Sequence, residues 1–132
     1  NAADRAAIEA LWRSALQAAP AREALWLHGD VHARNLLVDA GRISGVIDWG
    51  DLCAGDPATD LAGIWMNFHD REARASAQAR YETQHRDSDS ALWHRARGWA
   101  ALFAAILIDT GRADHPRHAV MGERTLENLL EG

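Results

Sequence analysis

"HGDVHARNLLVDAGRISGVIDWG", running from His28 to Gly50, decides how this chain is read. It sets two aspartates and an asparagine, Asp30, Asn35 and Asp48, at the edges of two short apolar runs. Leu36 to Val38 and Ile43 to Ile47 have the residue types of strands. The Asp-Ala-Gly-Arg between them predicts a turn in which Gly41 takes a positive φ. Carboxylates gathered at the edge of a small hairpin repel one another, so the pattern asks for a cation between them.

The spacing supplies the chemistry. Asp30 and Asn35 have the form D-x-x-x-x-N, and Asp48 closes the second strand just before Trp49 and Gly50. A loop that leaves at Asp30 and returns at Asn35 aims both side chains at one point, and the hairpin folds Asp48 back toward it. One carboxylate and one amide oxygen make a hard-oxygen cradle for Mg²⁺, which keeps water and phosphate oxygens as its other ligands. Asp30 is then left to accept a proton from an attacking hydroxyl. Singly, each residue has an ordinary reading as turn or loop chemistry. The weight lies in the joint pattern.

Outward from this stretch, helices predominate. "DRAAIEALWRSALQAA" carries Ile8, Leu11, Trp12 and Leu16 at helical spacing, with Asp4 as the expected N-cap and Pro20 as the stop. "ALWLHGD" predicts an extended apolar segment. After the hairpin, Asp56 and Pro57 open a helix with Leu61, Ile64, Trp65 and Phe68 along one stripe. A polar helix is expected from Glu72 to His85 and a loop over "RDSDS", Arg86 to Ser90. An apolar helix capped by Ser90 or Asp89 should follow to about Asp109, "TGRADHP" should break it, and a last helix should span Pro116 to Leu130. Trp12, Trp65, Trp93 and Trp99 fall on apolar helical faces and read as core. The fold class is α+β, mainly helical, in one domain.

Composition narrows the functions. Net charge is −5, with fourteen arginines and no lysine, which argues against gripping nucleic acid or an acidic membrane. The longest apolar run, Trp99 to Ile108, is about half of what a bilayer span requires and reads as a buried helix. Cys53 stands alone, so no internal disulfide forms. It reads as a small reduced apolar residue of a cytoplasmic protein. No stretch resembles a signal peptide.

The kinase signature H-R-D-L-x-x-x-N followed by D-F-G has its slots filled here by His28-Gly29-Asp30-Val31, Asn35 and Asp48-Trp49-Gly50. With glycine as the second residue, "HGD" resembles the aminoglycoside phosphotransferase family and its choline-kinase-like relatives. "IDWGDLCAGDPATDLA" resembles the same family's I-D-[WF] and G-D-P-x-x-D-[LI]-A segments, so the likeness runs from Trp26 to Trp65. It implies a protein-kinase-like carboxyl-terminal lobe, with a catalytic loop and small β-hairpin packed on helices. It implies Asp30 as the base, Asn35 and Asp48 on Mg²⁺, and His28 bracing the loop. Asp60 would accept hydrogen bonds from the loop backbone, and His32 would stand where kinases reach the transferred phosphoryl group. ATP or GTP would be the donor and a small hydroxyl compound the acceptor. Asp70, Glu72 and Glu82 would favour a cationic acceptor unless they are only the solvated face of a helix.

A kinase also needs a lid over the nucleotide and a phosphate-gripping lysine. Neither is present: the glycines form no G-x-G-x-x-G, and only one helix precedes His28. The expectation is that residues 1–132 are the carboxyl-terminal lobe of a longer phosphotransferase without its amino-terminal nucleotide-binding lobe. The isolated chain should then have little activity and should self-associate through the bared surface near Trp26 and the hairpin. Two other readings stand beside this one. His28, Asp30 and His32 at alternate positions could bind Zn²⁺ for hydrolysis, or the chain could be a kinase-like domain kept only for binding.

Overall fold

The computed structural model describes residues 1–86 and 89–132, so the loop expected over 86–90 lies partly outside the described residues. Helix α1 (Ala2–Gln17) is capped by Asn1, whose Oδ1 accepts from the Asp4 N–H at 3.0 Å, while the Asp4 carboxylate accepts from the Asn1 amine at 3.1 Å. Asp4 therefore sits one turn inside the cap and completes a capping box, which corrects the assignment of Asp4 itself as N-cap. The helix ends at Gln17, with Ala18 already extended, so the chain leaves it before Pro20 is reached.

The strands form two small antiparallel sheets. β1 (Leu25–Leu27) pairs with β4 (Cys53–Gly55), in the register Trp26 opposite Ala54. β2 (Leu36–Asp39) pairs with β3 (Arg42–Val46), with an irregularity between Leu37 and Val38. Ala40 and Gly41 at the tip both have positive φ, 46° and 75°. That is the two-residue turn whose twist suits a hairpin, and it places alanine where glycine would be easier. A 3₁₀ turn at Ala33–Asn35 leads into β2, and another at Trp49–Asp51 follows β3.

Five helices complete the chain: α2 (Ala58–Leu61), α3 (Gly63–Asn67), α4 (Arg71–Gln84), α5 (Leu92–Ala113) and α6 (Pro116–Glu131). The single helix expected after Pro57 is two short ones joined at Ala62, whose backbone stays helical. The helix opens one residue later than the sequence suggested: Pro57 is the cap of α2 and not its first residue, and Asp56, just before it, accepts from the Ala58 N–H through Oδ1 at 3.0 Å. The stripe is buried at Ile64 and Trp65, but Phe68 lies beyond the helix and is 37% exposed.

α5 packs on α6 and α1, and α2 and α3 close the other side. Trp65 is the largest buried side chain, and it lies among Ala58, Ala62, Leu92, Ala96, Ala100 and Leu129. Small residues on α5 let its neighbours approach closely, and this explains why α5 runs past Asp109 to Ala113. A Cβ at Gly111 would fall 2.3 Å from the Ala119 backbone nitrogen, so that glycine serves the α5–α6 crossing and does not break the helix. Trp93 and Trp99 are partly buried against the core, whereas Trp12 is 37% exposed and is not among the side chains packed on it. Cys53 is exposed on β4, not tucked into apolar packing.

Arg95 ties these parts together. Its guanidinium binds both Asp56 oxygens, at 2.7 and 3.3 Å, both Asp89 oxygens, at 2.9 and 3.0 Å, and the Ala19 carbonyl at 2.7 Å. Its pKa is raised, chiefly by the hydrogen bond to Asp89, and Asp89 is held below the usual carboxylate range by the same bond. One buried side chain thus fixes the end of the α1 connector, the start of α2 and the start of α5.

Candidate active site

The loop from Leu27 to Leu36 is held by its own side chains. His28 is buried, and its Nδ1 accepts from the Asp30 N–H at 3.2 Å. The ring proton is therefore on Nε2, which donates to the Ile47 carbonyl at 2.8 Å. Asp60, from α2, accepts from the backbone N–H groups of His28 at 2.7 Å and Gly29 at 2.9 Å. Gly29 has φ 88°, and a Cβ there would lie 2.8 Å from the Asp51 carbonyl, so the chain has no room for a side chain between His28 and Asp30. The neighbouring helix adds a third anchor: the Asn67 amide donates to the Val31 carbonyl at 3.1 Å.

This framework presents Asp30 with one oxygen held and one open. Oδ2 accepts from Asn35 Nδ2 at 3.1 Å and lies 3.2 Å from His32 Nε2. His32 Nδ1 accepts from the Arg34 N–H at 3.3 Å, which leaves the ring proton of the neutral form on Nε2. Oδ1 has no partner among the described residues, and the Asp30 side chain is 43% exposed.

Asn35 is buried and turns its amide nitrogen toward Asp30, donating to the main-chain carbonyl of that residue as well, at 2.9 Å. Its own carbonyl accepts from the Ile47 N–H at 2.9 Å, so Ile47 is clasped from both sides, by Asn35 and by His28. That clasp fixes the position of the next residue. Asp48 has left-handed dihedrals, φ 63° and ψ 66°, which are rare for a residue with a side chain and tend to occur at functional sites. Its carboxylate is exposed, with no hydrogen-bond or ionic partner among the described residues. Trp49 packs edge-on against His28 at 4.7 Å and closes the far side.

Asn35, through its main-chain carbonyl, and Asp48, as the next residue, both adjoin the clasped Ile47, and the Asn35 Oδ1 and the Asp48 carboxylate have no hydrogen-bond partner among the described residues. These are oxygen types that Mg²⁺ accepts. Among the described residues, no group of three or more His, Cys, Asp or Glu side chains is placed to hold a metal. Both ring nitrogens of His28 are engaged, which removes it from any zinc-ligand set and leaves the hydrolase reading without its first ligand.

Sequence reasoning missed two contacts on this loop. Arg34 reaches across to α6 and donates to His118 Nε2, and β4 pairs with β1 directly beneath His28. Neither partner had a local signal, since each contact joins segments far apart in the chain.

The helices, the two small sheets and the loop between them define a protein-kinase-like carboxyl-terminal lobe. The profile of the phosphotransferase enzyme family matches residues 1–99, and the chain belongs to that family. Viomycin phosphotransferase of Streptomyces vinaceus is 42% identical over 59 residues, covering 42% of this chain and 21% of that protein. Thiamine kinase of Escherichia coli is 34% identical over 73 residues, covering 55% of this chain and 26% of that one. The fold aligns with a thermostable mutant of aminoglycoside phosphotransferase APH(4)-Ia in its apo form, with a TM-score of 0.59 and 22% identity. That alignment covers 99% of this chain and 44% of the other. A ternary complex of the same protein with ADP and hygromycin B aligns with a TM-score of 0.57. The chain spans less than half the length of these relatives.

Proposed function

We propose that this chain is the carboxyl-terminal, acceptor-binding lobe of a small-molecule kinase that moves the γ-phosphoryl group of ATP or GTP to a substrate hydroxyl. The observation that carries the reading is the state of Asp30: Oδ2 accepts from Asn35 Nδ2 and has His32 Nε2 3.2 Å away, while Oδ1 has no partner among the described residues. An acceptor hydroxyl bound at Oδ1 is oriented for attack, and its proton passes to the carboxylate as the oxygen–phosphorus bond forms. The bond from γ-phosphorus to the β–γ bridging oxygen breaks, and the nucleoside diphosphate leaves with that oxygen.

Asn35 Oδ1 and the Asp48 carboxylate would hold Mg²⁺, which neutralises charge on the nucleotide phosphates when bound. His28 and Asp60 act by positioning. They fix the backbone on either side of Gly29, and through Ile47 they fix Asp48 relative to Asp30. His32 stands beside Oδ2, 3.2 Å away, where a protonated ring would pair with the carboxylate.

The lid and the lysine that clamp the phosphates would come from an amino-terminal lobe, so residues 1–132 alone should turn over slowly at most. Trp26, Leu37, Val38, Ile43, Ile47, Trp49 and Leu52 are each exposed on the strands and the turn that follows β3, apolar surface of the kind that finds a partner. That surface would dock the missing lobe or, in the isolated chain, a second copy. No helix among the described residues is long and apolar enough to cross a membrane, and a water-soluble cytoplasmic enzyme acting on a small molecule fits this reading.

The test is nucleotide consumption by the longer protein that carries this chain, assayed against a panel of hydroxyl compounds. Asp30→Asn should lower kcat by about 10²–10⁴-fold with nucleotide affinity retained. Full activity in that variant would remove Asp30 from the chemistry.

A further inference from the structure

The flank of Asp30 that faces α6 is basic, in a chain with 19 acidic residues against 14 arginines. Arg34 extends from the loop to α6 and donates to His118 Nε2, with no carboxylate within ion-pair distance among the described residues. His115 lies beside His118, with ring centroids 5.1 Å apart. His32 stands on the same side, against Asp30 Oδ2. Partial burial and then the charges of Arg34, His115 and His32 push the His118 pKa down, and Asp30 alone of the facing groups pulls it up. His32 joins this flank to the base: its Nε2 lies 3.2 Å from Asp30 Oδ2, and its Nδ1 accepts from the Arg34 N–H at 3.3 Å.

The hairpin flank of Asp30 is built differently. It carries Asn35 and Asp48, the oxygens assigned to Mg²⁺ and the nucleotide, and Ile47 is locked to it. An acceptor that reaches Asp30 Oδ1 from the α6 side meets Arg34 and His118. Two of the three acids that could have favoured a cationic acceptor have other duties. Asp70 caps α4 by accepting from the Ala73 N–H at 2.7 Å, and Glu82 accepts from Trp93 Nε1 at 2.6 Å.

From this arrangement we infer that the acceptor is an anionic hydroxyl compound, its carboxylate or phosphate received by Arg34 and His118 while its hydroxyl meets Asp30. This rests on the kinase reading and names its acceptor class. Arg34 offers a planar fork of donors matched to such oxyanions, and His118 gains a proton when one arrives. The same donors could instead receive the terminal phosphate of the nucleotide. The two sources of anion are separable because only one of them requires the nucleotide.

The test uses the 132-residue chain, labelled with nitrogen-15 and titrated by NMR with glycerate and glycerol 3-phosphate. Glycerol, ethanolamine and Mg²⁺ with a non-hydrolysable ATP analogue are the other arms. Glycerate or glycerol 3-phosphate should shift the Arg34 and His118 side-chain signals and raise the His118 pKa, while glycerol and ethanolamine leave both unchanged. Arg34→Gln, at an exposed position, should weaken that binding about tenfold or more, and His118→Gln should weaken it less. Stronger perturbation by ethanolamine would overturn the inference, as would perturbation by the nucleotide analogue alone or unchanged anion binding in Arg34→Gln. Failure of the kinase reading would show separately, as full turnover by Asp30→Asn with anion binding at Arg34 intact.

Discussion

Replacing Asp60 with alanine tests how the loop is held. The two oxygens of this carboxylate accept from the main-chain N–H groups of His28 and Gly29, at 2.7 and 2.9 Å. A hydrogen bond to a charged group contributes about 1.5–3 kcal/mol. The two share one carboxylate at a half-buried position, so they do not add fully, and Asp60→Ala should cost about 2–4 kcal/mol. With a urea m-value of about 2 kcal/mol/M, the middle of the usual range for small proteins, the midpoint should fall by roughly 1–2 M. The chain should still fold, since a domain typically has about 5–15 kcal/mol in hand. The loss should also be local: amide signals of residues 28–30, 35 and 47–48 should move, while those of α5 and α6 stay in place. Asp60→Asn keeps one acceptor and should fall between the two. A midpoint within 0.3 M of wild type in Asp60→Ala, roughly the error of such measurements, would show that the loop stands without Asp60. That result would refute the positioning argument.

Arg95→Met removes the shared partner of Asp56 and Asp89 and should destabilise the chain by about 2–4 kcal/mol near neutral pH. The folded pKa of Asp89 is depressed by Arg95, so this contribution is present above the unfolded value and is lost as pH falls through the folded one. The gap between variant and wild type in urea melts should therefore narrow below about pH 4, and a gap of constant size from pH 7 to pH 3 would contradict the assignment. Trp26→Arg places a charge on the exposed apolar surface of the strands. Sedimentation equilibrium should show wild type self-associating at high concentration and the variant shifted toward monomer. A strictly monomeric wild type would remove the self-association proposal.

The sequence was legible where a local signal had a local cause. The hairpin turn, the helical spacing of Ile8, Leu11, Trp12 and Leu16 in α1, and the opening of α2 just after Asp56-Pro57 all depend on neighbours a few residues away. The pairing of β1 with β4 was not legible, because Cys53–Gly55 is short and mixed and becomes a strand only when Leu25–Leu27 lies alongside it. The end of α5 was misread for a related reason. Gly111 reads as a breaker in the sequence, but in the fold it is where α6 comes closest. At the site, motif spacing singled out Asp30, Asn35 and Asp48 as candidates, and the family resemblance pointed to Asp60, which accepts from the loop backbone. The open Oδ1 of Asp30 and the Arg34–His118 contact needed the third dimension, since nothing near residue 34 announces a partner 84 residues away.

The claim on which the rest depends is that Asn35 and Asp48 serve one divalent cation next to Asp30. Mn²⁺, a paramagnetic ion that accepts oxygen ligands, reports this directly when titrated into the labelled chain with a nucleotide present. Line broadening should centre on Asn35, Asp48 and their neighbours, spread to Asp30, and disappear in Asp48→Ala. Broadening centred on other acidic residues, or persisting unchanged in Asp48→Ala, would contradict the account.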